Sequence, residues 1–343
     1  MLTSWLLYGA NGYTGELIAR EAVRRGLRPI LAGRSAEKIE PLARELGLEH
    51  RIFDVEHADL SGVAAVLHCA GPFLRTSKPM VDACLAAGVH YLDITGELEV
   101  FEAIMARDAE AKQRNVTLVP GVGFDVVPTD CLAAMLKRKL PEATELWLAF
   151  HAPGMGVSRG TMKTMLEGAG YGSAIRRNGK IERVPLLFDV REIPFAGGKR
   201  LAVAIPWGDV STAYHTTGIG NIRVFSARSP KSVARLRRIA PLLALLRLRP
   251  FLRLAQKLAD RRTGPSETTR TTARVHLWGR AFNADREATM TIETPEGYHL
   301  TVQSSLAAVE HIISEPVRAG AFTPAKRFGA DFVRSLDGVT VRD

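Results

Sequence analysis

The sequence predicts an α/β protein: a doubly wound parallel sheet, joined to a second α+β domain rich in antiparallel strands. Three observations predict it. Near the N-terminus a buried-strand pattern runs through a glycine-rich turn into an amphipathic helix. Strand and helix patterns then alternate to "VTLVPG", the order expected of a parallel sheet covered on both faces. Beyond that point strands predominate, and "SAIRRNGKIERV" places Asn178-Gly179 between two of them, residues suited to a type I′ hairpin turn.

The first strand, "SWLLYG", leads into Gly9, Gly12 and Gly15, spaced GxxGxxG. Ile18, Ala22 and Val23 then share a helical face, and Gly26 ends the run. One glycine lets the chain turn tightly. Another admits a pyrophosphate to backbone N–H groups, and a third lets the helix pack on the strand, with phosphate at the positive helix end. A strand before and a helix after supply the context this motif needs, so the domain reads as Rossmann-type. Asn11, Tyr13 and Thr14 complete the turn.

The second strand, Arg28 to Gly33, decides between dinucleotides. An NAD site would carry an acid there for the ribose 2′-hydroxyl. This chain carries Arg34, with Ser35 beside it and Lys38 one turn on, which suits a 2′-phosphate. NADP(H) is therefore the expected cofactor. A third strand, "HRIFDV", places Asp54 as a partner for the adenine amino group. The fourth, "AAVLHCAGPF", ends in Ala70, Gly71, Pro72 and Phe73, where the chain is expected to run close to the nicotinamide ribose.

A helix, "TSKPMVDACLAAG", a fifth strand, "HYLDITGE", a long helix, "LEVFEAIMARDAEAKQRN", and a sixth strand follow. "PGVGFDVVPTDCLAAML" opens another helix. In the second half "ELWLAFH", "KRLAVAIPW", "IRVFS", "TARVHLWGRA", "EATMTIET" and "YHLTVQSS" read as strands, and "RGTMKTMLEGAGYG" as a helix.

The order "YGANGYTG", "AGRS", "AGPF", "HYLDITGE", "PGVGFDVVPTD" resembles the saccharopine dehydrogenase-like oxidoreductases, and most closely their bacterial trans-acting enoyl reductase branch. "SRGT" and "AFTPAKRFGADFVRSL" also fit. The resemblance is densest over residues 5 to 165 and more specific for fold and cofactor than for substrate. It implies a nucleotide domain over 1–140, a second domain over 141–318, and a C-terminal segment, 319–343, whose helix at Pro324 to Leu336 returns to the first domain.

The expected reaction is NADPH-dependent reduction of an activated C=C group in an apolar acyl or polyketide substrate, free or on an acyl carrier protein. Hydride goes to the β-carbon and a proton to the α-carbon, with donors placed for the developing enolate. Tyr91, Asp93, Glu97, Asp125, Ser158, Arg159 and Tyr171 are the candidate catalytic groups by position. Each also has a structural reading: Asp125 and Asp130 as helix caps, Asp93 and Glu97 as acceptors of backbone N–H groups or partners of arginine. No Tyr-x-x-x-Lys pair is present, which argues against a short-chain dehydrogenase mechanism. Two other readings stay open: an imine or amino-acid oxidoreductase, and a non-catalytic NADP(H)-binding protein at a membrane.

Charge is the last signal. The chain is +10, but residues 231–262 carry ten Lys/Arg against one acid, Asp260, so the basicity is local. That segment interleaves its cations with leucines. It is divided by Pro241 and Pro250, and its longest apolar run is far shorter than the ~18 residues that span a bilayer. It reads as a solvated cover, as a lid or carrier-protein docking surface, or as a peripheral contact with anionic lipid. Nucleic acid is disfavoured because no set of stacking aromatics interleaves with the charges, Phe251 being the one aromatic among them.

The histidines show no metal-ligand spacing, so no metal is expected. Cys69, Cys84 and Cys131 are an odd, scattered set that suits a reducing cytoplasm. No secretory pattern opens the chain. A homodimer is left open.

Overall fold

Four consecutive buried residues, Trp5–Tyr8, form β1. In this computed structural model, which describes residues 4–154, 156–259 and 264–343, helix α1 (Tyr13–Arg24) follows. The alternation continues through β2 (Ile30–Gly33), α2 (Ala36–Leu46), β3 (His50–Ile52), β4 (Ala65–His68), α3 (Phe73–Ala87), β5 (His90–Asp93), α4 (Leu98–Met105), α5 (Asp108–Gln113) and β6 (Thr117–Val119). These strands pair in the order β6-β5-β4-β1-β2-β3, every pair parallel, and a short strand at Gly320–Ala321 joins beside β6. The central strands are buried on both faces, so they read as continuous apolar runs. Leu6, Val66, Tyr91 and Leu118 belong to one core cluster on this sheet. Met1–Val127 and Leu300–Phe328 make up this first compact unit.

The expected long helix over "LEVFEAIMARDAEAKQRN" is instead two helices, α4 and α5. Arg107 leaves helical geometry at the break, and its guanidinium ties Asp82 on α3 to Glu110 on α5, at 2.7 and 2.5 Å. That tertiary pairing outweighs local helix propensity.

The second unit comprises Pro128–His299 and Gly329–Asp343. From α6 (Val127–Lys139) the chain enters β7 (Glu145–His151), α7 (Arg159–Ala169), β8 (Ser173–Arg177), β9 (Lys180–Val184), β10 (Val190–Phe195) and β11 (Gly198–Ala204). It continues through α8 (Asp209–Thr217), β12 (Asn221–Ala227), α9 (Pro230–Leu243), α10 (Arg249–Ala259), α11 (Glu267–Thr272), β13 (Arg274–Phe282), β14 (Glu287–Pro295) and α12 (Gly297–Ser314). After β15, the Gly320–Ala321 strand, come α13 (Pro324–Phe328) and β16 (Thr340–Arg342). The sheet runs β10-β11-β12-β7-β13-β14-β16, with β8 and β9 attached at β12. Its β12–β7 pair is parallel and the others are antiparallel. The β8–β9 hairpin turns at Asn178 (φ 48°) and Gly179 (φ 78°), as their residue types require.

Three further expectations are corrected here, and one helix was not expected. "YHLTVQSS" lies in helix α12 and not in a strand. Its Val and Thr residues favour strands, but Leu300, Val302, Leu306 and Val309 are all buried, and the buried Glu296 accepts the N–H groups of Tyr298 and His299 at the helix start. Helix α8, over "DVSTAYHTT", went unforeseen, its first five residues all buried and so without a polar face to mark it. The single C-terminal helix expected over Pro324–Leu336 is broken at Gly329, whose φ of 95° cannot continue it; a 3-10 turn at Phe332–Ser335 follows. Pro241 does not divide the basic segment: it sits inside α9, two residues from its end, and the break comes after a 3-10 turn at Ala244–Arg247. Pro250 lies in the first turn of α10, where a missing N–H costs nothing.

Candidate nucleotide-binding site

The carboxyl ends of β1 to β6 lie along one edge of the first unit's parallel sheet, the edge on which such folds bind ligands. The turn after β1 is held by two N–H groups, of Gly9 and Ala10, that both donate to the Ala32 carbonyl of β2, at 2.8 and 3.2 Å. Gly9 sits at φ 81°. A side chain there would lie 2.9 Å from the backbone nitrogen of Ala70, so the turn is packed directly on the end of β4. A Cβ on Gly15 would lie 2.3 Å from the Gly9 carbonyl oxygen, and only glycine lets α1 start this close to β1.

Gly12 precedes the first helical residue, and no side chain caps it. The one acid in the first turn, Glu16, is paired with Arg20 at 2.9 Å. The positive end of α1 is therefore suited to an external anion. Tyr13 and Thr14 open the helix and are partly exposed. The Asn11 side chain lies against Gly33, where a Cβ would come within 3.1 Å of its Oδ1.

Arg34 follows β2 with its side chain 77% exposed, and its Nε lies a long 3.8 Å from Asp54 Oδ2. Asp54 also accepts the Glu56 N–H at 3.3 Å, which holds the turn after β3. Ser35 precedes α2 without capping it by its side chain, and Lys38 is exposed. A guanidinium this exposed, at the end of β2, fits a 2′-phosphate.

The Ala70–Phe73 turn is held by side chains from elsewhere. Both Glu97 carboxylate oxygens accept backbone N–H groups at the start of α3, from Phe73 and Leu74, each at 2.8 Å. Thr76 Oγ1 donates to the Ala70 carbonyl at 2.7 Å and lies 3.0 Å from His68 Nε2. Burial lowers the His68 pKa to about 3, so the ring is neutral. His68 and Thr76 were not singled out from the sequence; the signal available was "LHCAGPF", a histidine two residues before the turn it supports.

The candidate residues after β5 form a brace. Asp93 is fully buried. Its Oδ1 accepts the N–H groups of Thr95 and Gly121, at 3.0 and 2.8 Å, and its Oδ2 accepts the Tyr91 hydroxyl at 2.7 Å. It thereby ties the end of β5 to the end of β6. Burial raises its pKa to about 6 despite these three donors. Asp125 is pushed up to about 7 by burial and packs beside Gly96, where a Cβ would meet its Oδ2 at 2.6 Å.

Ser158 and Arg159 belong to the second unit. Ser158 caps α7, its Oγ accepting the Thr161 N–H at 3.2 Å while its own N–H donates to the Tyr298 hydroxyl at 2.7 Å. Arg159 is the exposed first residue of α7. Tyr171, also exposed, lies under the Arg247 guanidinium. The cofactor candidates thus gather on one sheet edge together with Tyr91, Asp93, Glu97 and Asp125, all in the first unit.

Residues 5–119 match the family model described as "Saccharopine dehydrogenase NADP binding domain". Over these residues the chain is similar to that family's NADP-binding domain. A saccharopine dehydrogenase-like oxidoreductase of Homo sapiens is 29% identical over 217 residues, covering 53% of this chain and 50% of the human protein. A trans-acting enoyl reductase of Mycobacterium bovis is 33% identical over 150 residues, covering 40% of this chain and 36% of that protein. The matches thus span half or less of these relatives. The fold is that of apo histidine-tagged saccharopine dehydrogenase (L-Glu forming) from Saccharomyces cerevisiae, with a TM-score of 0.65 over 99% of this chain and 100% of that one at 11% identity.

The NADP-binding domain fits its cofactor on its own geometry: a glycine cradle that Cβ atoms would fill, a helix end without a side-chain cap, and an exposed arginine after β2. Arg34→Ala should weaken NADPH by roughly ten- to a hundredfold, the loss of one charged hydrogen-bond set, and leave NADH little changed. Titrating both cofactors checks this, and equal weakening of the two removes Arg34 from the 2′-phosphate.

Proposed function

We propose that the protein is an NADPH-dependent oxidoreductase that reduces an activated C=C bond, an enoyl group, in an apolar acyl or polyketide substrate. The observation that carries this reading is the 33% identity to a trans-acting enoyl reductase across a stretch of 150 residues. Bound NADPH supplies the hydride.

The chain's own contribution is positional. Glu97 and Thr76 hold the Ala70–Phe73 turn, the part of the sheet edge assigned to the nicotinamide side. Asp93 holds the Thr95 and Gly121 backbone, so the loops after β5 and β6 are fixed. Tyr91 is fully buried and donates a hydrogen bond to Asp93, and its pKa is raised well above normal by burial first and then by Asp93. It therefore acts as a brace and not as an acid. The proposed donor of the proton to the α-carbon is Asp125, which follows β6, packs beside Gly96 and is pushed up to about 7 by burial.

The test is NADPH oxidation with 2-enoyl thioesters of rising chain length, with product mass showing two added hydrogens. Turnover that improves with chain length supports the proposal. Tight NADPH binding without turnover on any thioester defeats it and points to an imine substrate.

A further inference from the structure

Among the described residues, the large apolar side chains left exposed are concentrated in one stretch, where Ile239 and six others lie. Leu242, Leu245, Leu248, Phe251, Leu254 and Leu258 recur every third or fourth residue along α9, the 3-10 turn and α10, and all six are exposed. Leu254 and Leu258 are each 61% exposed. On α10 the inward side is already used. Leu252, Ala255 and Ala259 are partly or fully buried, Gln256 donates to Glu167 of α7 at 3.0 Å, and Arg247 donates to the Gly170 carbonyl at 2.8 Å. Phe251, Leu254 and Leu258 are therefore not spare core residues awaiting a neighbour within the helix pair.

Positive charge runs beside this apolar stripe. Residues 231–259 contain eight Lys/Arg and no acid, and all eight are exposed. Arg249, Arg253 and Lys257 repeat at four-residue spacing on α10 and flank Phe251, Leu254 and Leu258. Arg261 and Arg262, with Asp260, lie outside the described residues. Among the described residues no helix is long and apolar enough to cross a membrane.

We propose that α9 and α10 lie in the plane of an anionic lipid surface, with the leucines and Phe251 in the headgroup–acyl boundary and the flanking cations on the lipid phosphates. A bilayer accepts apolar side chains anywhere along such a stretch without a matching pocket, and anionic headgroups complement cations that have no acids among them. A second copy of the chain fits less well, because a two-fold contact would set eight cations against eight. An acidic carrier protein matches the charge but leaves a stripe of this length needing a complementary apolar groove.

The experiment is flotation of the full chain with vesicles of phosphatidylcholine alone or with about one-third phosphatidylglycerol. The protein should float with the anionic vesicles and not with neutral ones, and salt should weaken the interaction. Phe251→Ser/Leu254→Ser/Leu258→Ser should lower partitioning at least about tenfold, and Arg249→Gln/Arg253→Gln/Lys257→Gln roughly a hundredfold. All six positions are exposed, so both variants should keep the wild-type melting temperature and NADPH affinity, which shows that they fold. No flotation of the wild type on anionic vesicles overturns the proposal, as does wild-type partitioning by both variants. A wild-type dimer that the serine variant converts to monomer, without vesicle binding, assigns the stripe to a second copy. Retention only by an acidic carrier protein assigns it there.

Discussion

Gly15→Ala should raise the Kd for NADPH by about a hundredfold or more, and should also lower the stability of the nucleotide domain by about 1–3 kcal/mol. The added methyl group would lie 2.3 Å from the Gly9 carbonyl oxygen and 2.9 Å from the Ala10 Cα. Both are main-chain atoms, so no side-chain rotation relieves the overlap. Either α1 moves away from β1, or the Gly9–Gly12 turn deforms. Both responses displace the N–H groups that the turn offers to a pyrophosphate. Gly26→Ala separates stability from binding. Gly26 ends α1 at φ 79° with nothing within 4 Å of an added Cβ. Alanine there carries about 1–2 kcal/mol of backbone strain and meets no neighbour. It should lower the melting temperature and leave NADPH affinity unchanged. NADPH fluorescence titration beside thermal melts reads both effects. Wild-type affinity in Gly15→Ala would show that the phosphates lie elsewhere.

This site was legible in the sequence because its chemistry is local. Gly9, Gly12 and Gly15 are needed within one turn, and Arg34 directly follows the strand that presents it. What holds the site was less legible. Glu97 acts on Phe73 and Leu74, 24 and 23 residues away, and its sequence neighbours say only that it precedes a helix. The Asp93 brace joins β5 to a loop 28 residues on, at Gly121. Such long-range acceptors leave no periodic trace.

Helix α12 shows a different loss of signal. Its residues are buried around much of its circumference, so the apolar–polar alternation that marks a surface helix is missing and its Thr and Val residues suggest a strand. Thr301 Oγ1 accepts the Phe124 N–H, and Ser304 Oγ donates to the Val122 carbonyl. Two of the polar residues of the segment, Thr301 and Ser304, are thus satisfied inside the first unit. The Glu296 cap was the available cue, an acid just before the helix.

Asp93→Ala should lower stability by about 3–5 kcal/mol, because it leaves the Thr95 and Gly121 N–H groups and the Tyr91 hydroxyl buried without their acceptor. Asp93→Asn should behave differently, and its effect should depend on pH. An amide oxygen keeps the two N–H groups, and its NH2 donates to a Tyr91 hydroxyl that turns to accept. The wild-type carboxyl titrates at about 6 in the folded protein, against about 3.9 in an unfolded chain. Its folded-state pKa is raised, so the native state binds the proton more tightly. That contribution to stability is fully present below about pH 4 and is lost as pH rises through about 6. The asparagine form has no proton to lose. Raising the pH from about 4 to about 8 should therefore move stability in favour of Asp93→Asn by up to about 3 kcal/mol, the pKa difference expressed as free energy. Urea unfolding of the three proteins across this range measures both effects. A gap between wild type and Asp93→Asn that stays constant with pH would mean that Asp93 is ionised throughout, held by its three donors against burial. The brace would then be a charged one, with Tyr91 donating to a full carboxylate.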